Sequence, residues 1–114
     1  MTDYKITAEA YEYHYKNGFT GVDAMGWDSG LQYAWSRAGA ALTCNIEYKK
    51  DRVLSEMSKK YGNPPIIHEI NGVSFHHAQS KRIKSFCTKE RIDELEMVIP
   101  KLERGEFSEN NELL

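Results

Sequence analysis

No stretch of this sequence approaches the ~20 consecutive apolar residues that a membrane-spanning helix requires. The opening residues, MTDYKITAEAYEYHYK, lack a basic start followed by an apolar run, so they do not read as a secretory signal. Together these absences predict a cytoplasmic protein without membrane contact. Cysteine is scarce. Cys44 and Cys87 stand alone, neither in a CxxC pair, which excludes a disulfide framework and a cysteine-rich zinc module. One disulfide between them is possible, but both thiols are expected to be reduced and packed as small hydrophobes. Glycines occur at positions 18, 21, 26 and 30, but they build neither GxGxxG nor GxxxxGK[ST], and no apolar strand leads into them. No nucleotide-phosphate loop, and no cofactor, is therefore expected. Internal repeats and low-complexity tracts are also missing.

What is present suits one globular domain. The 114 residues are 40% hydrophobic and 11% aromatic, too apolar for a disordered chain. A chain of this length buries roughly two-thirds of its unfolded surface and folds without a metal. The net charge is -2, but it is unevenly spread. Residues 1–48 hold 3 basic and 6 acidic side chains, residues 49–91 hold 10 and 4, and residues 92–114 hold 2 and 7. The middle is thus basic between two acidic ends, and a local field of this kind is what a partner meets.

Hydrophobic spacing and turn chemistry predict the elements. Residues 7–17 read as a helix capped by Thr7 and closed by Gly18, with alternation of Tyr11, Tyr13 and Tyr15 as a competing strand signal. A second helix follows the Asp28 cap, with Leu31, Ala34, Trp35, Ala38, Ala41 and Leu42 on one face. Residues 43–50 are ambiguous, with a short strand open at Cys44, Ile46 and Tyr48. A third helix, after Asp51, groups Val53, Leu54, Met57 and Tyr61 and stops at Gly62. Residues 66–77 predict a β-hairpin: IIHEI and VSFHH flank Asn71-Gly72, the pair that a type I′ turn favours. Its core face would carry Ile66, His68, Ile70, Val73, Phe75 and His77. Residues 78–87 suggest a short basic helix. Thr88 then caps an amphipathic helix carrying Ile92, Leu95, Ile99 and Leu102, which Pro100 should kink or break. The expected fold is α+β: a small single domain over residues 1–105, mainly helical, with one hairpin and a C-terminal amphipathic helix. Residues 106–114 are expected to form a mobile acidic tail.

Chemistry-bearing residues are few. On the predicted hairpin, His68 and His77 would be diagonal neighbours able to share a metal with Cys87, though the spacing matches no zinc pattern and no metal is expected. Cys87 with His77 is the one candidate nucleophile pair, so a small metal- or thiol-dependent enzyme is the third-ranked reading. The candidate partner-binding residues are Lys49, Lys50, Arg52, Lys59, Lys60, Lys81, Arg82 and Lys84, expected to form one positive surface, together with the aromatic Tyr11, Tyr13, Tyr15 and Trp27. The element order, three helices then an NG hairpin then a helix, resembles that of a winged-helix DNA-binding domain, which implies a DNA- or RNA-binding regulator as the second-ranked reading. The leading expectation is a non-enzymatic accessory protein that binds a macromolecule with an acidic surface, a protein in preference to nucleic acid. Small phage and mobile-element inhibitors of host proteins share this profile, and the exposed aromatics would equally serve a homodimer.

Overall fold

The computed structural model describes residues 7–19 and 26–107. Helix α1 spans Ala8–Asn17, α2 Ser29–Thr43 and α3 Lys50–Tyr61. A continuous helical rod then covers residues 65–80: α4 (Pro65–His68), a π-helical turn (Glu69–Val73) and α5 (Ser74–Ser80). Helix α6 spans Lys89–Glu103. Among the described residues there is no strand, so the α+β expectation is wrong and the fold is all-helical.

Local chemistry explains the helix starts. Thr7 Oγ1 accepts from the Ala10 amide at 3.1 Å, Asp28 Oδ1 from Gly30 at 2.7 Å, and Thr88 Oγ1 from Arg91 at 3.1 Å. Helix α3 begins at Lys50 and not after Asp51, and no side chain caps its first turn, although a distant carboxylate holds the residue that precedes it. The Lys49 amide donates to Glu103 Oε2 of α6 at 2.9 Å. Residues 44–49 form a turn and an extended link, and no strand. Helix α6 runs through Pro100 to Glu103 without the expected break.

The segment predicted as a hairpin shows what periodicity missed. Its buried residues are His68, Gly72, Val73, Phe75, His76, Gln79 and Ser80. His68, Gly72, His76 and Ser80 recur every four residues, the spacing of a helix face. A hydrophobicity count reads Gly, His and Ser as surface, so this stripe stayed hidden. Ile66 and Ile70, assigned to the core, are 54% and 47% exposed. Asn71 and Gly72 do not take the positive φ that a type I′ turn needs. Gly72 serves instead by having no side chain, because a Cβ there would overlap the Trp35 indole. Gly39 does the same on the facing helix, where a Cβ would lie 2.7 Å from the His77 amide nitrogen and 2.8 Å from the Val73 carbonyl oxygen. Rod 65–80 therefore lies directly on α2. Without strands there is no wing, and the winged-helix resemblance fails. Gly72→Ala is expected to destabilise by about 2–3 kcal/mol, the scale of overpacking a tight contact, measured by urea unfolding.

Helix α2 is central. On one side Leu31, Ala34, Trp35, Ala38 and Ala41 meet Val53, Leu54 and Met57 of α3, Val98, Ile99 and Leu102 of α6, and Phe107. On the other side Ala40 joins Tyr11, Tyr15, Phe19, Phe86 and Leu95. Phe107 is buried beside Tyr61, so the folded unit reaches beyond Gly105, and residue 107 belongs to the core and not to a tail. Residues 108–114 lie outside the described residues. Cys44 and Cys87 form a disulfide with Cα atoms 5.5 Å apart, which corrects the expectation of two reduced thiols.

Candidate binding surface

The buried polar groups come first, because they decide what the histidines are free to do. His68 is fully buried. Its Nδ1 accepts from Trp35 Nε1 at 3.3 Å and its Nε2 donates to the Gly62 carbonyl at 2.7 Å. His76 bridges Tyr11 Oη at 2.8 Å and Gln32 Oε1 at 3.1 Å. Because an amide oxygen only accepts, Nε2 carries the proton and Nδ1 accepts from the tyrosine. Burial pushes the His76 pKa down to about 3, with the Arg37 charge adding to the effect. His77 Nδ1 meets Thr43 Oγ1 at 2.8 Å, and Thr43 also contacts Ser80 Oγ. Each of these three rings thus ties rod 65–80 to another part of the chain, to α2 in every case. His68 and His77 do not share a face toward one metal, Cys87 is held in the disulfide, and no cluster of three metal-ligating side chains occurs among the described residues.

A polar cleft of about 650 Å³ opens between α1, α2 and α6. Two buried arginines line it, neither among the residues expected from the sequence to contact a partner. The Arg37 guanidinium lies 3.8 Å from the centre of the Tyr15 ring, and that of Arg91 lies 4.4 Å from it. Arg37 Nε donates to Glu94 Oε2 at 3.0 Å, and the Tyr15 hydroxyl donates to Glu94 Oε1 at 3.0 Å. Arg91 grips Glu12 with two hydrogen bonds of 2.8 and 3.2 Å and donates to the Phe86 carbonyl at 2.8 Å. Each arginine has its carboxylate, so the cluster clamps α1 and α2 onto α6. A signal did exist: Arg91 falls on the same helix face as Leu95, Val98 and Leu102, where a surface charge would not sit. Glu94→Ala is expected to destabilise by about 2 kcal/mol, less than a fully buried pair because Glu94 is 31% exposed, as measured by chemical unfolding.

The expected contact aromatics divide. Tyr11 and Tyr15 are core residues, and Trp27 packs edge-on against Trp35 with ring centres 4.9 Å apart. Tyr13 is 62% exposed and lines a shallow groove of about 580 Å³ together with Lys16, Ile83 and Lys84. The basic residues divide too. Lys49, Lys50 and Arg52 sit at the start of α3, where Lys50 pairs with Glu69 at 2.7 Å and Arg52 Nε donates to the Glu103 carbonyl at 2.8 Å. Lys59 and Lys60 lie at the other end, about 14 Å away along the axis at 1.5 Å per residue. Lys81 and Arg82 follow α5, and Lys84 faces α1 across the groove. The structure thus distributes the basic residues over three places.

One further surface combines exposure with apolar chemistry. Ile66, Ile70, Ser74 and Ala78 occupy successive turns of rod 65–80 and all face outward. They form an uncharged stripe because the buried face has taken the polar residues of this segment. No helix of the described residues is long and apolar enough to cross a membrane. Comparison of the chain with protein-family models, with curated proteins and with solved structures finds no match.

Proposed function

We propose that this chain is a non-enzymatic binding protein that docks onto a partner macromolecule with an acidic surface, and that the outward face of rod 65–80 makes the contact. The observation that carries the reading is the stripe Ile66, Ile70, Ser74 and Ala78, with two isoleucines about half exposed on a helix whose opposite face holds three buried or half-buried histidines. Monomeric proteins rarely leave adjacent large apolar side chains in water on one helix without a use for them. Lys59 and Lys60 precede this face and Lys81 and Arg82 follow it, so the field around it attracts an acidic partner and speeds encounter. A protein partner fits better than nucleic acid, since phosphate binding needs charge alone and makes no use of two exposed isoleucines.

The test is affinity capture from the source cell with nuclease present, comparing the native chain with an Ile66→Asp, Ile70→Asp double variant. The expected result is a partner retained by the native chain and lost by the variant, while both melt at similar temperatures. Equal retention by the variant overturns the assignment. Binding abolished by nuclease, with affinity falling by orders of magnitude over a modest rise in salt, points to nucleic acid instead.

A further inference from the structure

Between Lys59 and Lys84 the chain holds five basic residues, Lys59, Lys60, Lys81, Arg82 and Lys84, and one acidic residue, Glu69. Glu69 is held by Lys50 at 2.7 Å. Along the chain the apolar stripe is therefore flanked by basic residues, of which Lys59 pairs with Glu56 at 3.4 Å, and its one carboxylate is already held by Lys50. Beside the stripe a depression of about 190 Å³ is lined by Ile70, Ser74, Phe75, Ala78 and Gln79. That is smaller than the ~300 Å³ at which pockets for cofactor-sized ligands begin. It suits one inserted side chain, and its lining is mainly hydrocarbon. At its rim Gln79 Oε1 accepts from Arg82 Nη1 at 2.8 Å, which places a guanidinium beside the opening.

We propose that this depression receives a single bulky apolar side chain from an acidic peptide segment of the partner protein, with the carboxylates of that segment facing Lys81 and Arg82. The inference rests on the binding face proposed above and names what that face recognises. The buried anchor supplies affinity and the charges supply orientation and encounter rate. A nucleic acid offers charge without an aliphatic anchor. A second copy of the chain fits poorly, because a two-fold pairing of this face sets Lys59 and Lys60 of one copy against Lys81 and Arg82 of the other. The chain's own residues Glu109, Glu112, Leu113 and Leu114 carry the matching chemistry, and the test separates them from a foreign segment.

The probe is a set of short fluorescent glutamate-rich peptides with a central Leu, a central Ser, or Lys in place of every Glu, read by anisotropy on the full chain. The Leu peptide is expected to bind, the Ser peptide about tenfold or more weakly, and the Lys peptide not at all. Ile70→Asp and Ala78→Glu, both at exposed positions, are expected to abolish binding with circular dichroism unchanged, and Lys81→Glu to weaken it in low salt. Equal binding of the Leu and Ser peptides overturns the anchor, and no binding by any form of the chain overturns the whole inference. Binding seen solely with a Leu113→Ser, Leu114→Ser variant makes the chain's own tail the occupant and overturns the foreign segment. If partner capture is lost in the Ile66→Asp, Ile70→Asp variant while no peptide binds, the binding face stands and this inference alone fails.

Discussion

At pH 4 the protein is expected to have lost about 3 kcal/mol of the stability that His76 secures at pH 7, at about 1.4 kcal/mol for each pH unit below the free imidazole value. The unfolded chain takes up a proton on His76 near pH 6.5, whereas the folded state resists until about pH 3. In that window the unfolded state binds more protons, so stability rises with pH and falls on acidification. The contribution is complete above pH 6.5 and is lost as pH falls toward 3, amounting to roughly 4–5 kcal/mol across the whole interval. The cause is structural. His76 is fully buried, and its Nδ1 accepts from Tyr11 Oη. A second ring proton would point at a hydroxyl that now donates, and would place a cation in the core near Arg37. Urea unfolding at pH 7 and pH 4 measures the loss. His76→Gln, which keeps an amide able to donate and accept, should flatten the difference between the two. If wild type and variant lose the same amount, the buried neutral imidazole is not the source.

Replacing both Cys44 and Cys87 by alanine is expected to cost about 4 kcal/mol, the chain-entropy figure for a crosslink of this span. The bridge closes 43 residues of sequence separation, from the end of α2 to the residue before the Thr88 cap of α6. It encloses α3 and the whole of rod 65–80, so in its absence the unfolded chain regains the freedom of that loop. A chain of this size should then melt about 15 °C lower, and a reductant should do the same to the wild type while leaving the variant unchanged. The disulfide also steadies Phe86, the neighbour of Cys87. Its carbonyl accepts from Arg91 Nη1 at 2.8 Å and its ring lies 4.1 Å from the guanidinium carbon. Equal melting of oxidised and reduced wild type would show that the loop gains nothing from its closure.

Much of the helical framework was legible from local patterns. Thr7, Asp28 and Thr88 cap the helices they were expected to cap, and Gly18 and Gly62 end theirs with φ near +101° and +81°. Leu31, Ala34, Trp35, Ala38 and Ala41 form the buried face that their spacing indicated. These features depend on neighbours within about four residues, the range over which capping and side-chain periodicity act.

The hairpin error has the opposite origin. Asn71-Gly72 between alternating apolar residues is a sound local signal for a turn, and nothing within the segment outweighs it. The deciding contacts come from far along the chain. Trp35 lies against Gly72 and bonds His68, 33 residues away, and Tyr11 bonds His76, 65 residues away. A helix lets His68, Gly72 and His76 all face α2, whereas the hairpin would place Gly72 in its turn and set His68 and His76 on opposite faces of the ribbon. Buried histidines are affordable there because each finds a partner in the fold, which hydrophobicity scales do not register. The candidate surface follows from the same choice, since a core face built of His, Gly and Ser turns Ile66 and Ile70 outward. Sequence alone determined the caps at Thr7, Asp28 and Thr88, the stops at Gly18 and Gly62, the apolar faces of α2, α3 and α6 and the uneven charge, because those arise between residues close along the chain. Tertiary structure decided the state of residues 65–80, the pairing of Arg37 and Arg91 with Glu94 and Glu12, and the scattering of the basic residues, because each depends on groups brought together by the fold.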